Sequence, residues 1–219
     1  MGFQLLSNRT ESNSPSDSYS LNSEGVSFGP YAAISLNDQW ALYGSMTWGS
    51  YDTDVGLLTV SGDYDQDQFA ADIILTGQYV YNDGSYLRPQ FSMSYLRLDN
   101  PDYQLSGSVS GTPVSIDIAG GSSTYGTFNP SVEFGQIYQN GRTLWVPYGE
   151  IGAIYEFSRP ESLGLFGTEE TSEWSGTIRA GVRMNTKGAF HAELSVGYLS
   201  AFQANLDVVE AELYLAWGF

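Results

Sequence analysis
The sequence predicts an all-β chain. The expected form is an antiparallel up-and-down transmembrane β-barrel of about ten strands, or twelve if the start has been cut away, in one domain over residues 1–219. Three observations predict it. Apolar and polar residues alternate with period two in segment after segment, the spacing of strands whose two faces meet different solvents. Connections alternate between short polar turns and long polar stretches, as in a barrel whose hairpins close tightly on one side of a membrane only. Aromatic residues gather at segment ends, where amphipathic rings sit at a membrane–water boundary. Helical periodicity is nearly absent, and no run approaches the ~18 apolar residues of a transmembrane helix.

In chain order, a first, incomplete strand is expected around Phe3 to Ser7. It is followed by strands at Val26 to Leu36, Trp40 to Tyr51, Phe69 to Asn82, Tyr86 to Leu98 and Ser131 to Tyr138. Four more run over Trp145 to Phe157, Trp174 to Met184, Phe190 to Leu199 and Val209 to Phe219. Most are near the ~9–11 residues that cross a bilayer at a tilt. The last is the clearest: Val209, Ala211, Leu213, Leu215, Trp217 and Phe219 are apolar, while Glu210, Glu212, Tyr214, Ala216 and Gly218 are the intervening set. A half-buried strand of a soluble sandwich alternates in the same way, so the strands alone do not decide. The connections do. Short turns stand at Asn37-Asp38-Gln39, Asn82-Asp83-Gly84, Asn140-Gly141-Arg142 and Asn185-Thr186-Lys187-Gly188, each with turn-forming residues. Between them fall long polar stretches, read as loops, at Asn8 to Ser18, Asp52 to Gln66, Asp99 to Thr127, Ser158 to Ser172 and Ser200 to Leu206.

With 25 acidic and 8 basic residues the net charge is −17, and charged residues make up only 15% of the chain, against about 25% in ordinary soluble domains. An acidic chain lacks the basic patch that phosphate binding needs, which excludes nucleic acid as a partner. The absence of cysteine excludes a disulfide scaffold, a cysteine-ligated zinc and a thiol nucleophile. The N-terminus lacks the charged head and apolar run of a secretory signal.

If the apolar alternates face lipid, the polar alternates line the lumen. The predicted lumen-facing network is Asp72, Arg88, Glu133, Glu150, Arg179, Arg183, Glu193, Glu210 and Glu212, accompanied by Gln78, Gln90 and Tyr148. Such an interior is either a hydrated, cation-preferring pore or a plugged ionic network, with Arg179 and Arg183 neutralising neighbouring carboxylates. Hydrolytic chemistry needs a histidine base or paired carboxylates. The one histidine, His191, is expected at the short-turn end of its strand as a solvated or wall residue. Glu169-Glu170 and Asp63, Asp65 and Asp67 are read as solvated loop carboxylates. The run Asp63-Tyr64-Asp65-Gln66-Asp67 lacks the closing bidentate glutamate of a calcium loop. Ser106 to Ser123, with Gly120-Gly121-Ser122-Ser123, reads as flexible loop. No cofactor, metal or catalytic residue is expected.

Several segments carry a family likeness: Val26-Ser27-Phe28-Gly29-Pro30-Tyr31-Ala32-Ala33, Trp40-Ala41-Leu42-Tyr43-Gly44-Ser45 and Leu87-Arg88-Pro89-Gln90-Phe91. Val146-Pro147-Tyr148-Gly149-Glu150-Ile151-Gly152 followed by Tyr155-Glu156-Phe157, and the terminal Tyr214-Leu215-Ala216-Trp217-Gly218-Phe219, complete it. Together they resemble the C-terminal translocator barrel of autotransporters, the type V secretion family. The resemblance implies an integral protein of the bacterial outer membrane that carries an N-terminal passenger across it. It also implies a C-terminal sorting signal at Leu215, Trp217 and Phe219 read by the barrel-assembly machinery. Further implied partners are outer-membrane lipid and lipopolysaccharide. Translocators of this family usually have twelve strands and a linker helix leading to the passenger, features the ten-strand reading lacks. The competing expectation is a small structural or pore-forming barrel that anchors a partner assembly or passes small ions.

Overall fold
The computed structural model describes residues 1–14, 18–159, 173–186, 190–201 and 207–218. Ten strands make one antiparallel meander, each paired with the strands before and after it. In spatial order they are β1 (Gly2–Asn13), β2 (Tyr19–Ser35), β3 (Trp40–Leu57), β4 (Val60–Gly77), β6 (Ser85–Asn100), β9 (Gly121–Gln136), β11 (Thr143–Ser158), β12 (Trp174–Thr186), β13 (Phe190–Ala201) and β14 (Val209–Trp217). Two short pieces, β5 (Tyr79–Val80) and β10 (Tyr138–Asn140), pair with β6 and β11 beside the short turns. A hairpin of β7 (Tyr103–Val109) and β8 (Thr112–Ile118) stands between β6 and β9 at the opposite end. β1 and β14 are the two ends of the order, and these ends are where a barrel closes.

The ten expected strands are present among the described residues, as are the turns at Asn37-Asp38-Gln39, Asn82-Asp83-Gly84 and Asn140-Gly141-Arg142, while the fourth, Asn185 to Gly188, lies partly outside them; the register fixes the faces of the strands. Along β3, Trp40 and Trp48 share a face, and Trp48 stands opposite Phe28 and Phe69. The same face carries Ile34, Ile73, Phe91, Ile151, Ile178, Val196 and Leu213, each between 41% and 66% exposed. Between its aromatic ends no charged residue interrupts this ladder. Large apolar side chains left uncovered over a whole sheet face are lipid-facing side chains.

At the long-loop end the structure corrects the reading of loops. β3 and β4 stay paired from Trp40↔Gly77 to Leu57↔Val60, so the stretch read as a loop from Asp52 to Gln66 is a hairpin extension turning at Leu58 and Thr59, flanked by β2 on one side and β7 on the other. Asp63, Asp65 and Asp67 therefore lie in β4. β1 continues to Asn13 within the supposed loop Asn8 to Ser18. The stretch Asp99 to Thr127 contains the β7–β8 hairpin, which turns at Ser110 and Gly111 with φ of 52° and 82°, the positive pair a tight hairpin turn requires. The supposed flexible segment Ser106 to Ser123 is mostly strand. The physical reason is common to all three. Strands of 16–18 residues outrun the ~9–11 needed to cross a bilayer, and beyond it both faces meet water. The backbone ladder persists there, but along β3 the alternation inverts: Tyr51, Thr53, Val55 and Leu57 take the alternate opposite to Trp40 and Trp48, with Asp52 and Asp54 between them, so the apolar face that marks the strand in the membrane breaks off. The stretches Ser158 to Ser172 and Ser200 to Leu206, with Glu169 and Glu170, lie largely or wholly outside the described residues.

Candidate functional site: the charged inner face
The register assembles the predicted polar residues on the face opposite the apolar ladder. Arg88 stands opposite Glu133, Glu133 opposite Glu150, Glu150 opposite Arg179, Arg179 opposite Gly197, and Gly197 opposite Glu210. This is one rung crossing six strands. The next rung toward the short turns is Tyr86, Gly135, Tyr148, Gly181, Ser195 and Glu212. A third contains Val146, Arg183, Glu193 and Tyr214. Asp72 lies on the same face of β4, between Ser45 and Ser94.

The strongest contacts skip a strand. Arg183 on β12 reaches over β11 to β9, where its two terminal nitrogens each donate to Glu133 at 2.8 Å. Its Nε lies 3.0 Å from Glu193. Tyr148 on β11 reaches over β12 and donates to Glu193 at 2.6 Å. Arg179 on β12 reaches over β13 and donates to Glu210 at 2.7 Å. Strands two apart are separated by roughly 9.5 Å, so side chains meet across the gap on the concave side, where they converge. Such contacts over an intervening strand are those expected of an inner face.

Glycine makes room for the reach. Tyr148 lies over Gly181, where an added Cβ would stand 2.7 Å from its phenol carbon and oxygen. Tyr86 lies over Gly135 in the same way and donates to Glu133 at 2.8 Å. Glu133 is only 5% exposed, and its carboxylate accepts from Arg183 and Tyr86 with Arg88 3.4 Å away. The Arg183 guanidinium also stacks on the Tyr148 ring, 4.0 Å from its centre. A paired, forked and stacked guanidinium is the arrangement that makes a low-dielectric carboxylate tolerable.

The other acids are held less tightly. Arg179, bonded to Glu210, stands 3.9 Å from Glu150. Asp72 accepts from Ser94 at 2.7 Å and from Ser45 at 3.4 Å, without a cation. Glu212 is exposed and makes no ion pair or hydrogen bond among the described residues. His191 is at the short-turn end of β13 with Nδ1 2.6 Å from Asn185 and its ring edge-on to Tyr214. Tyr86 escaped the sequence reading, although it shares the alternate of Arg88 and Gln90. Among the described residues no three histidines or carboxylates converge as a metal-ligand set. Of the proposed sorting residues, Leu215 and Trp217 lie on the apolar face of β14, and Phe219 is outside the described residues.

Beyond the membrane the outer face is acidic. Glu24, Asp52 and Asp65 form one rung, and Asn22, Asp54 and Asp63 the next. Hydrogen bonding with Asp52, together with repulsion from Asp52, Asp63 and Asp67, raises the pKa of Asp65 above the ordinary carboxylate value. In the short turn, the hydroxyl and backbone N–H of Ser85 donate to Asp83 and lower its pKa.

Comparison with known proteins agrees with this geometry. The β domain of the Bordetella autotransporter BrkA superimposes with a TM-score of 0.57 at 14% identity, over 98% of this chain and 88% of that one. The translocator domain of the autotransporter NalP from Neisseria meningitidis gives 0.53 at 11% identity, over 93% of this chain and 68% of that one. No curated protein matches the sequence significantly. The profile of the autotransporter β-domain matches residues 1–197. The chain belongs to the autotransporter β-domain family, and is an integral outer-membrane β-barrel of the translocator kind that serves the secretion of a passenger.

Proposed function
We propose that the chain acts as one domain over residues 1–219 and that its passenger crosses the outer membrane along the inner face carrying Asp72, Arg88, Glu133, Glu150, Arg179, Arg183, Glu193, Glu210 and Glu212. The single observation that carries this reading is the segregation of charge. These residues share one alternate of their strands, while the opposite alternate is apolar between its aromatic ends, and the reading takes the charged alternate as the lumen wall. A charge on the lipid face costs about 2–4 kcal/mol at the midplane, so the sequence keeps its ions where water and a translocating chain can meet them. On the outside, the ladder contacts outer-membrane lipid, and the acidic strand extensions stand at the level of lipopolysaccharide. Leu215, Trp217 and Phe219 present the terminal pattern read by the barrel-assembly machinery.

The test is delivery. A reporter passenger is fused upstream of Met1 through a helical linker and expressed in a Gram-negative host. It should become accessible to protease added outside intact cells. A reporter retained in the periplasm beside a correctly inserted barrel would contradict the reading. Replacing Trp217 and Phe219 by serine should lower the amount of inserted barrel several-fold. Undiminished insertion would remove the sorting role.

A further inference from the structure
The ion pairs divide the inner face into a neutral part and a surplus. Around Glu133 the charges balance: Arg88 and Arg183 face Glu133 and Glu193 at 2.8–3.4 Å. Around Arg179 they do not, because one guanidinium serves both Glu210, at 2.7 Å, and Glu150, at 3.9 Å. Among the described residues Asp72 is held only by serine hydroxyls, and Glu212 has no partner. We propose that the lumen selects cations over anions, and that this preference resides in the three surplus carboxylates, Asp72, Glu150 and Glu212, rather than in the most deeply set acid, Glu133. The proposal rests on the reading that the inner face lines an open passage.

Position supports the assignment. Asp72 is on β4, Glu150 on β11 and Glu212 on β14, so the surplus charges are spread around the wall instead of forming one chelating cluster. They are dispersed carboxylates that raise the local concentration of mobile cations without trapping one, as conduction requires. Glu133, by contrast, already has its oxygens occupied by Arg183 and Tyr86 and has little left to offer a passing ion. The outward carboxylates Asp52, Asp54, Asp63 and Asp65 point away from the passage and do not contribute.

The test is the reversal potential of the purified full chain in planar bilayers under a KCl gradient. Wild type should be permeable to K⁺ over Cl⁻. Asp72→Asn, Glu150→Gln and Glu212→Gln should each lower the permeability ratio about two- to threefold, the Boltzmann weight of a unit charge roughly 7 Å away in water. The triple variant should approach no selectivity. Asp63→Asn, an equal change in net charge on the outer face, should leave the ratio unaltered. Heat-modifiable electrophoretic mobility verifies that each variant is folded. Should the triple variant fail that check, the wild-type ratio and exposed Glu212→Gln decide. Unselective or anion-selective wild-type conduction, a closed channel, or a ratio indifferent to Glu212 would overturn the inference. External protease accessibility of the passenger, measured in parallel, reports on the translocator reading separately: delivery without cation preference sinks this inference alone.

Discussion

The two walls of the barrel are built differently. On β1 to β4 the inner face is almost free of charge. Its buried side chains include the hydroxyls of Ser27, Thr47 and Thr53, the phenol of Tyr51 and the apolar Val60, Ser23 shares a 2.9 Å hydrogen bond with Thr53, and Asp72 is its single ionisable acid or base other than tyrosine. On β6 to β14 three arginines and six glutamates, Glu156 among them, occupy the same face. Both walls use tyrosine packed over glycine, Tyr51 over Gly25 and Tyr148 over Gly181, so close backbone approach is common to the whole barrel. Among the described residues, ionic bridging over an intervening strand is confined to one side. The neutral wall is held by neighbour-to-neighbour contacts. The charged wall is held by contacts that also fix curvature, because a bridge from β9 to β12 has the right length only when the strands between are bent.

That contrast can be broken in several ways, starting with the largest effect. An arginine at Ile73 in the neutral wall or at Ile178 in the charged wall should cost the same, about 2–4 kcal/mol, since both face hydrocarbon. Reversible urea unfolding in lipid vesicles measures it, and a large inequality would show that the walls differ outside as well as inside. Glu133→Gln should destabilise by about 1–3 kcal/mol, leaving Arg183 without its forked acceptor. Asp72→Asn, which exchanges only hydroxyl-to-carboxylate bonds, should cost about 1 kcal/mol or less in the same assay. Gly181→Val should cost about 1–3 kcal/mol by displacing Tyr148 from Glu193, and trimming the ring in Gly181→Val/Tyr148→Ala should recover part of it.

The smallest effect lies beyond the membrane. Asp65 has a raised pKa in the folded hairpin. Its protonated form therefore favours folding, a contribution present below the unfolded value of 3.8 and lost as pH rises through the raised one. Asp65→Asn should therefore slow hydrogen exchange at the β3–β4 tip at neutral pH, with the difference from wild type shrinking under acid conditions. An effect that grows with acid would reverse the sign of the argument.

The membrane-embedded part was legible from sequence because two solvents impress period two on every strand. Trp40 and Trp48 on one alternate, with Tyr43 and Ser45 on the other, already state which face is which. The strand extensions were not legible. Asp52, Asp54, Asp63 and Asp65 stand on the face that carries Trp48 and Ile73 within the membrane, and Tyr51, Thr53, Val55 and Leu57 stand behind Asp52 and Asp54, so the apolar alternate changes face at Tyr51 and a pattern followed along one apolar face breaks off there. The Ser110-Gly111 turn was the one available signal for the β7–β8 hairpin. Within the site, the membership of the charged face was legible but its pairing was not. Period two places Arg183 and Glu133 on one face, yet their contact depends on curvature, which sequence spacing does not encode.

The central claim is that the apolar alternates face lipid. All five tryptophans, Trp40, Trp48, Trp145, Trp174 and Trp217, belong to that set. Quenching of tryptophan fluorescence by brominated acyl chains tests the claim most directly. In vesicles of brominated lipid the emission should be strongly quenched, with acrylamide in the aqueous phase adding little. Emission indifferent to bromine and quenched by acrylamide would place those rings in water and contradict the account.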